Sequence, residues 1–150
     1  MPSAAYALNN VRTWNAAANP LVVNGYGSSG KAYGTWKLYN GSNGTVSLAA
    51  AYTKLSNADN HKVYVELNTQ VNAGYCTTYS KFLSCTQQYW SHASDESDHH
   101  SSSSYKYNPA STGVSGDADY ARGRVKAFLD IPWRDDPETG WSYAAGADNY

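Results

Sequence analysis

The chain has 150 residues, 11 basic and 12 acidic side chains and a formal net charge of −1. That length fits one domain, and the even balance excludes the broad basic character that nucleic-acid binding needs. Leu, Ile, Val and Phe are scarce, but low net charge argues against disorder. The 14 Tyr and 5 Trp can supply a core, since each large aromatic buries about 150–250 Å².

Residues 1–19, "MPSAAYALNNVRTWNAAAN", hold apolar side chains only at intervals: Tyr6, Leu8, Val11 and Trp14. Such spacing makes no strong helical face, and a helix this short is marginal without packing. The stretch reads as a non-sheet N-terminal arm that stays extended until a partner orders it. Extended segments add to sheet edges or lie in grooves, so Tyr6, Leu8, Val11 and Trp14 are the candidate partner-binding residues. Trp14 is the expected anchor, because Trp is enriched among binding hot spots. The first residues lack the basic and apolar regions of a secretory leader. Met1 ahead of small residues fits a start codon placed on a mature secreted protein, as does a composition low in Lys and Glu and rich in Ser, Asn, Tyr and Gly. No apolar run approaches the roughly 20 residues of a membrane span.

A single β domain is expected over residues 20–150. "PLVVNGY" (20–26) reads as a short strand. "GYGSSG", Gly25 to Gly30, matches GxGxxG, but that motif binds dinucleotides only between a strand and a helix. Here a strand pattern follows, so it reads as a turn. From Lys31 the period is two, with Ala32, Gly34, Trp36 and Leu38 on one face. "NGSNG" (40–44) holds two Asn-Gly pairs and predicts a tight hairpin turn into "TVSLAAAY". In "HKVYVELNTQV", Val63, Val65, Leu67 and Val71 share a face. "KFLSCTQQYWSH" alternates as well, and "GRVKAFLDI" places Val125, Ala127, Leu129 and Ile131 together. Strands with regular turn signals predict an all-β fold, an antiparallel β-sandwich or small barrel.

Cys76 and Cys85 are the only cysteines and bracket an expected hairpin. In an oxidising compartment they pair and close a short loop worth about 2–3 kcal/mol. The alternative is two reduced thiols in a cytosolic protein. Their spacing is not that of a CxxC zinc site.

"SHASDESDHHSSSS" concentrates ligand-type side chains: His92, Asp95, Asp98, His99 and His100. A metal-assisted hydrolase is one reading of them. Against it, the stretch lacks an HExxH helix and a calcium loop, and it runs into four serines. It reads as a solvated, mobile connection between strands. No GxSxG elbow is present. Asp130, Asp135, Asp136 and Glu138 could supply paired carboxylates for glycoside cleavage, but "RDDPETG" reads better as a polar turn. No cofactor is implied. Around that turn lie Trp133, Trp141 and Tyr143. With Asp135 and Asp136 they form a candidate carbohydrate-binding set, rings stacking on sugar C–H groups and acids accepting hydroxyls. The alternative is that these aromatics belong to the core or cover the sheet.

"RVKAFLDIPWRDDPETG" resembles the end of small secreted β proteins of streptomycetes and related actinobacteria, which often read V-x-V-C-L-D-x-P-W-x-x-D-P-C-S. Phe128 and Glu138 stand here at the two cysteine positions. Joint loss is what a bridge between those positions in relatives implies. "GKAYGTWKLYNG" is similar to their early strand. Among such proteins is the adaptor of umbrella toxin particles, which joins a toxin-bearing stalk to lectin-like subunits through an extended N-terminal segment and a compact β domain. The resemblance implies a secreted, non-enzymatic adaptor whose partners are other extracellular proteins. A carbohydrate-binding module is the first rival and the metal-assisted hydrolase the second.

Overall fold

The computed structural model describes residues 11–57, 60–72, 76–79, 82–85, 90–114 and 120–144. The described residues form twelve strands: β1 (Val11–Asn15), β2 (Leu21–Gly25), β3 (Ser28–Gly41), β4 (Gly44–Ser56), β5 (Lys62–Asn72), β6 (Cys76–Tyr79), β7 (Phe82–Cys85), β8 (Trp90–Glu96), β9 (Lys106–Tyr107), β10 (Ala110–Val114), β11 (Tyr120–Asp130) and β12 (Ser142–Tyr143). Ten of them make two antiparallel sheets, the sandwich that the alternating pattern predicts, and β6 pairs with β7 alone. The first runs β1-β3-β4-β10, with β2 also on β3 and β9 on β4; the second runs β12-β11-β5-β8. Among the described residues no helix is long and apolar enough to cross a membrane.

The core lies between the sheets. Ala32, Trp36 and Leu38 of β3, Ala49, Ala51 and Leu55 of β4, Val63, Val65, Leu67 and Val71 of β5 and Val125, Ala127 and Leu129 of β11 are all buried. Among the described residues the core cluster is mainly Val, Leu and Ala, with Trp14 and Trp36 as its aromatic members, and such a ring needs a facing gap. A Cβ at Gly123 would collide with the Trp36 ring, so the indole lies against bare backbone. The Trp36 Nε1–H donates to Ser47 Oγ at 2.7 Å. Ser47 bonds Thr69 at 2.8 Å, and Thr112 donates to Thr69 at 3.1 Å. These hydroxyls satisfy one another between the sheets, which removes the cost of burying each alone.

The sheet begins at Val11, earlier than the expected end of the arm at residue 19. β1 pairs with β3, Val11 opposite Lys37 and Arg12 opposite Trp36. Trp14 is 0% exposed. Its Nε1–H donates to Thr35 O at 3.1 Å, and its own carbonyl accepts from Ser142 Oγ at 2.6 Å. Trp14 is therefore not a free anchor for a partner. The domain's own core offers its ring a dry pocket, and that outweighs holding it in solvent. Val11 is exposed on the edge strand. Tyr6 and Leu8 lie outside the described residues.

Candidate binding surface

Two turns build the most unusual surface of the molecule. β2 and β3 are joined by two residues, Tyr26 and Gly27, with Gly25 paired to Ser28. Both turn residues have positive φ, 50° and 82°, the form of a type I′ hairpin turn that normally takes Asn or Gly first. At the end of β11, "IPWR" makes a second turn, closed by Arg134 N–H donating to Ile131 O at 3.4 Å. Pro132 is second and Trp133, at φ 63°, is third. That is the type II arrangement, whose third position favours Gly. Bulky side chains in the left-handed region are genuine outliers. Here two aromatics occupy it, and both project into solvent: Tyr26 is 53% exposed and Trp133 101%.

The turns are locked side by side. A Cβ on Gly25 would sit 2.6 Å from Pro137 Cγ, so Gly25 lets the second turn pack on the first. Asp136 Oδ1 accepts Ile131 N–H at 3.1 Å, and Pro137 O accepts Leu129 N–H at 3.0 Å. The Arg134 guanidinium lies 4.8 Å from the Tyr26 ring centre. Tyr26, Trp133, Arg134 and Asp135 line one wide, shallow cleft of about 610 Å³.

The expected sugar set is thereby divided. Trp133 and Asp135 line this cleft. Asp136 instead caps its own turn and accepts the Tyr64 hydroxyl at 2.7 Å. Trp141 and Tyr143 lie on the outer face of the second sheet. Arg124 sits 4.1 Å and Lys126 4.6 Å from the Trp141 ring centre, and Arg122 sits 4.9 Å from that of Tyr143. The cause is the alternation of β12 against β11: Ser142 points inward, and its flanking aromatics cover the cations. Tyr26 and Arg134 are the members that sequence reasoning missed. Their signals were a two-residue hairpin hidden in "GYGSSG" and a Pro in front of Trp133.

The histidine stretch is not a free connection. Trp90–Glu96 is a strand on β5, where Asp95 faces Leu67 and Glu96 faces Glu66. His92 is half-buried on it. Asp95 Oδ2 accepts Ser111 N–H at 3.0 Å, and the Asp98 carbonyl accepts Asn108 Nδ2–H at 2.8 Å. His99 bridges Asp130 at 2.9 Å and Glu96 at 3.2 Å, its ring stacked on Tyr64 at 3.8 Å. His100 Nδ1 accepts Ser102 N–H at 3.0 Å. Its proton is therefore on Nε2, which donates to Thr53 Oγ1 at 2.6 Å. The ligand-type side chains thus diverge, and among the described residues no group of three His, Cys, Asp or Glu is placed to hold a metal.

Charge states follow from these contacts. Burial acts to lower the His99 pKa, but bonds to Asp130 and Glu96 outweigh it and the net direction is up. Burial, helped by Lys106, lowers His100. Burial, helped by the Asp136 carboxylate, raises Tyr64 and keeps its phenol protonated. Burial next to Glu96 raises Glu66. Ser28 Oγ and His61 Nδ1 also bond one another, but both residues are buried, so this Ser–His pair faces no cleft.

β6 and β7 form a separate hairpin in which Cys76 stands directly opposite Cys85. Phe128 and Glu138, the two positions that the actinobacterial resemblance pairs as cysteines, also face each other, in an isolated antiparallel bridge. No protein-family model, no curated protein and no solved structure matches the chain.

Proposed function

We propose that the protein is a secreted, non-enzymatic binding module that docks another extracellular protein through Tyr26, Trp133 and Arg134. The observation that carries this reading is the pair of solvent-exposed aromatics at positive φ in adjoining turns. Backbone strain of this kind costs about 1–3 kcal/mol per residue and clusters at functional sites. Trp, Tyr and Arg are the residue types that dominate interface hot spots. Opposed cysteines in the β6–β7 hairpin support secretion, because neighbouring antiparallel positions lie about 4.5–5.5 Å apart at Cα, within disulfide range. The facing of Phe128 and Glu138 supports kinship with the small secreted β proteins and so an adaptor role, as in a toxin particle.

Affinity capture from the native culture supernatant tests this. The intact protein should retain a stoichiometric protein, and Trp133→Ala should lose it while keeping its melting temperature. Retention unchanged by Trp133→Ala overturns the assignment of the site. Asp135 beside the Trp133 ring favours a second reading, a sugar whose hydroxyls the carboxylate accepts. Trp133-dependent signal on a glycan array, with no protein retained, would select it.

A further inference from the structure

The near-neutral net charge conceals an uneven placement of the acids: the second sheet mixes Lys62, Arg122, Arg124 and Lys126 with carboxylates, and the first does not. The strands of the first sheet carry Arg12, Lys31, Lys37, Lys54 and Lys106 and no acid. Every Asp and Glu among the described residues lies on β5, on β8, at the end of β11 or in the segments that follow β8 and β11. Arg12 and Lys106 pair with the inward-facing Trp36 and Thr53, whereas Lys31, Lys37 and Lys54 alternate with the buried positions of β3 and β4, so the outer face of the first sheet carries three lysines and, among the described residues, no acid.

Within that face Lys31 stands directly opposite Lys54 across β3 and β4. Like charges in register repel, and among the described residues neither lysine has a carboxylate within ion-pair distance. Both line a cleft of about 230 Å³ with Ser29, Ser56 and Ser103. Two ammonium groups and three hydroxyls around one concavity are donors for an oxyanion. Neutralising the lysine pair would turn a repulsion into a pair of charge-assisted bonds.

The next position on the same face, about 6.7 Å along the strands, begins a row of tyrosines. Tyr33 is opposite Tyr52 and stacks on it, ring centres 5.3 Å apart. Tyr105 meets Tyr33 edge-on at 4.9 Å, and Tyr107 meets Tyr52 at 5.4 Å. Tyr52 is 40% and Tyr107 51% exposed. Tyr33 and Tyr52 occupy each other's faces, so what they offer a ligand is ring edges and phenolic hydroxyls. A nucleobase needs a free ring face on which to stack. A polyhydroxylated sugar can be held without face stacking, by hydrogen bonds to the phenolic hydroxyls and contact with the ring edges.

We propose that the outer face of the six-stranded sheet binds an acidic polysaccharide, with its anionic groups in the Lys31–Lys54 cleft and its sugar rings along Tyr33, Tyr52 and Tyr107. The surface is separate from the Trp133 cleft and does not depend on it.

The test is binding of the full chain to immobilised polygalacturonate and dextran sulfate, with uncharged dextran and poly(dT) beside them. Both acidic polymers should be retained and released by salt, and dextran should not be. Lys31→Gln combined with Lys54→Gln should weaken retention at least tenfold. The same variant should melt within a few degrees of the parent, because it removes the repulsion between the lysines together with the contact of Lys54 on the Tyr105 ring at 4.7 Å. Tyr52→Ala with Tyr107→Ala should weaken retention of polygalacturonate severalfold, and Trp133→Ala should change retention of neither acidic polymer. Failure to retain either acidic polymer, retention indifferent to the lysine pair, or tighter binding of poly(dT) than of polygalacturonate overturns the proposal.

Discussion

Replacing Trp133 by Gly should stabilise the protein while destroying its binding cleft. The left-handed conformation costs an L-residue about 1–2 kcal/mol, and Trp133 sits there at φ 63°. Its side chain is 101% exposed, so truncation forfeits almost no packing. Glycine gives back about 0.5–1 kcal/mol through its freer unfolded chain. The net gain is about 0.5–1 kcal/mol, or about 1–4 °C in Tm for a chain of this size. Trp133→Ala retains the strained backbone and should leave stability nearly unchanged, so the Gly–Ala difference isolates the backbone contribution. Urea denaturation reads this as a higher midpoint at unchanged slope. A Gly variant less stable than the Ala variant would refute the reasoning, because relief of strain at Trp133 would then not exist.

Phe128→Cys with Glu138→Cys, in a Cys76→Ser, Cys85→Ser background, should form a disulfide on air oxidation, because the two positions face each other. The oxidised form should exceed the reduced one by about 2.7 kcal/mol, the chain-entropy value for a loop of about ten residues; free thiols after oxidation would contradict that facing. His99, raised, contributes stability that is complete below the unfolded value near 6.5 and lost as pH rises through the folded value. His100, lowered, contributes above about 6.5 and loses it as pH falls through its folded value. Urea midpoints between pH 5 and 8 should therefore lose the alkaline decline in His99→Gln and the acid decline in His100→Gln; unaltered profiles would dismiss both groups. Gly123→Ala forces a methyl into the Trp36 ring and should cost about 1–3 kcal/mol by overpacking, read as a lower melting temperature. Cys76 and Cys85 should resist alkylation in denaturant until reduced, a mass measurement that two labelled thiols would decide against the bridge.

The long strands were legible because their period is two and their turns are chemically marked. β3 and β11 bury the alternate residues that their patterns place on one face, whereas β5 buries that face and most of the other; the chain reverses within "NGSNG", but at Ser42 and Asn43 and not at an Asn-Gly pair. β1 was not legible: "VRTWN" buries one ring, and whether that ring finds a pocket depends on Gly34, Thr35 and Ser142, residues far along the chain. β8 was legible only at its start, where "KFLSCTQQYWSH" reaches His92, for a related reason. Its remaining part, "ASDE", has no apolar alternation and is held by pairing to β5, a choice of partner that local sequence does not encode. Trp133 and Trp141 look alike in sequence, but one occupies a positive-φ turn position and the other lies over Arg124. The confinement of the acids to one sheet is also tertiary, since it depends on which strands pair and not on their order.

The Trp133 cleft joins strain and rigidity in a way that bears on affinity. A left-handed tryptophan would relax if its turn were free to move. Here Gly25 against Pro137, Asp136 on Ile131 N and Pro137 O on Leu129 N fix the turn to β11 and to the neighbouring hairpin. The fold thus bears the conformational cost before any partner arrives. A partner meets a backbone already in place and a ring with only two side-chain torsions to settle, so little ordering entropy is subtracted from the contact energy. A loop carrying the same Tyr, Trp and Arg without this frame would have equal chemistry and weaker binding. On this argument Gly25 and Pro137, which need touch no ligand, set affinity as much as the aromatic rings that do.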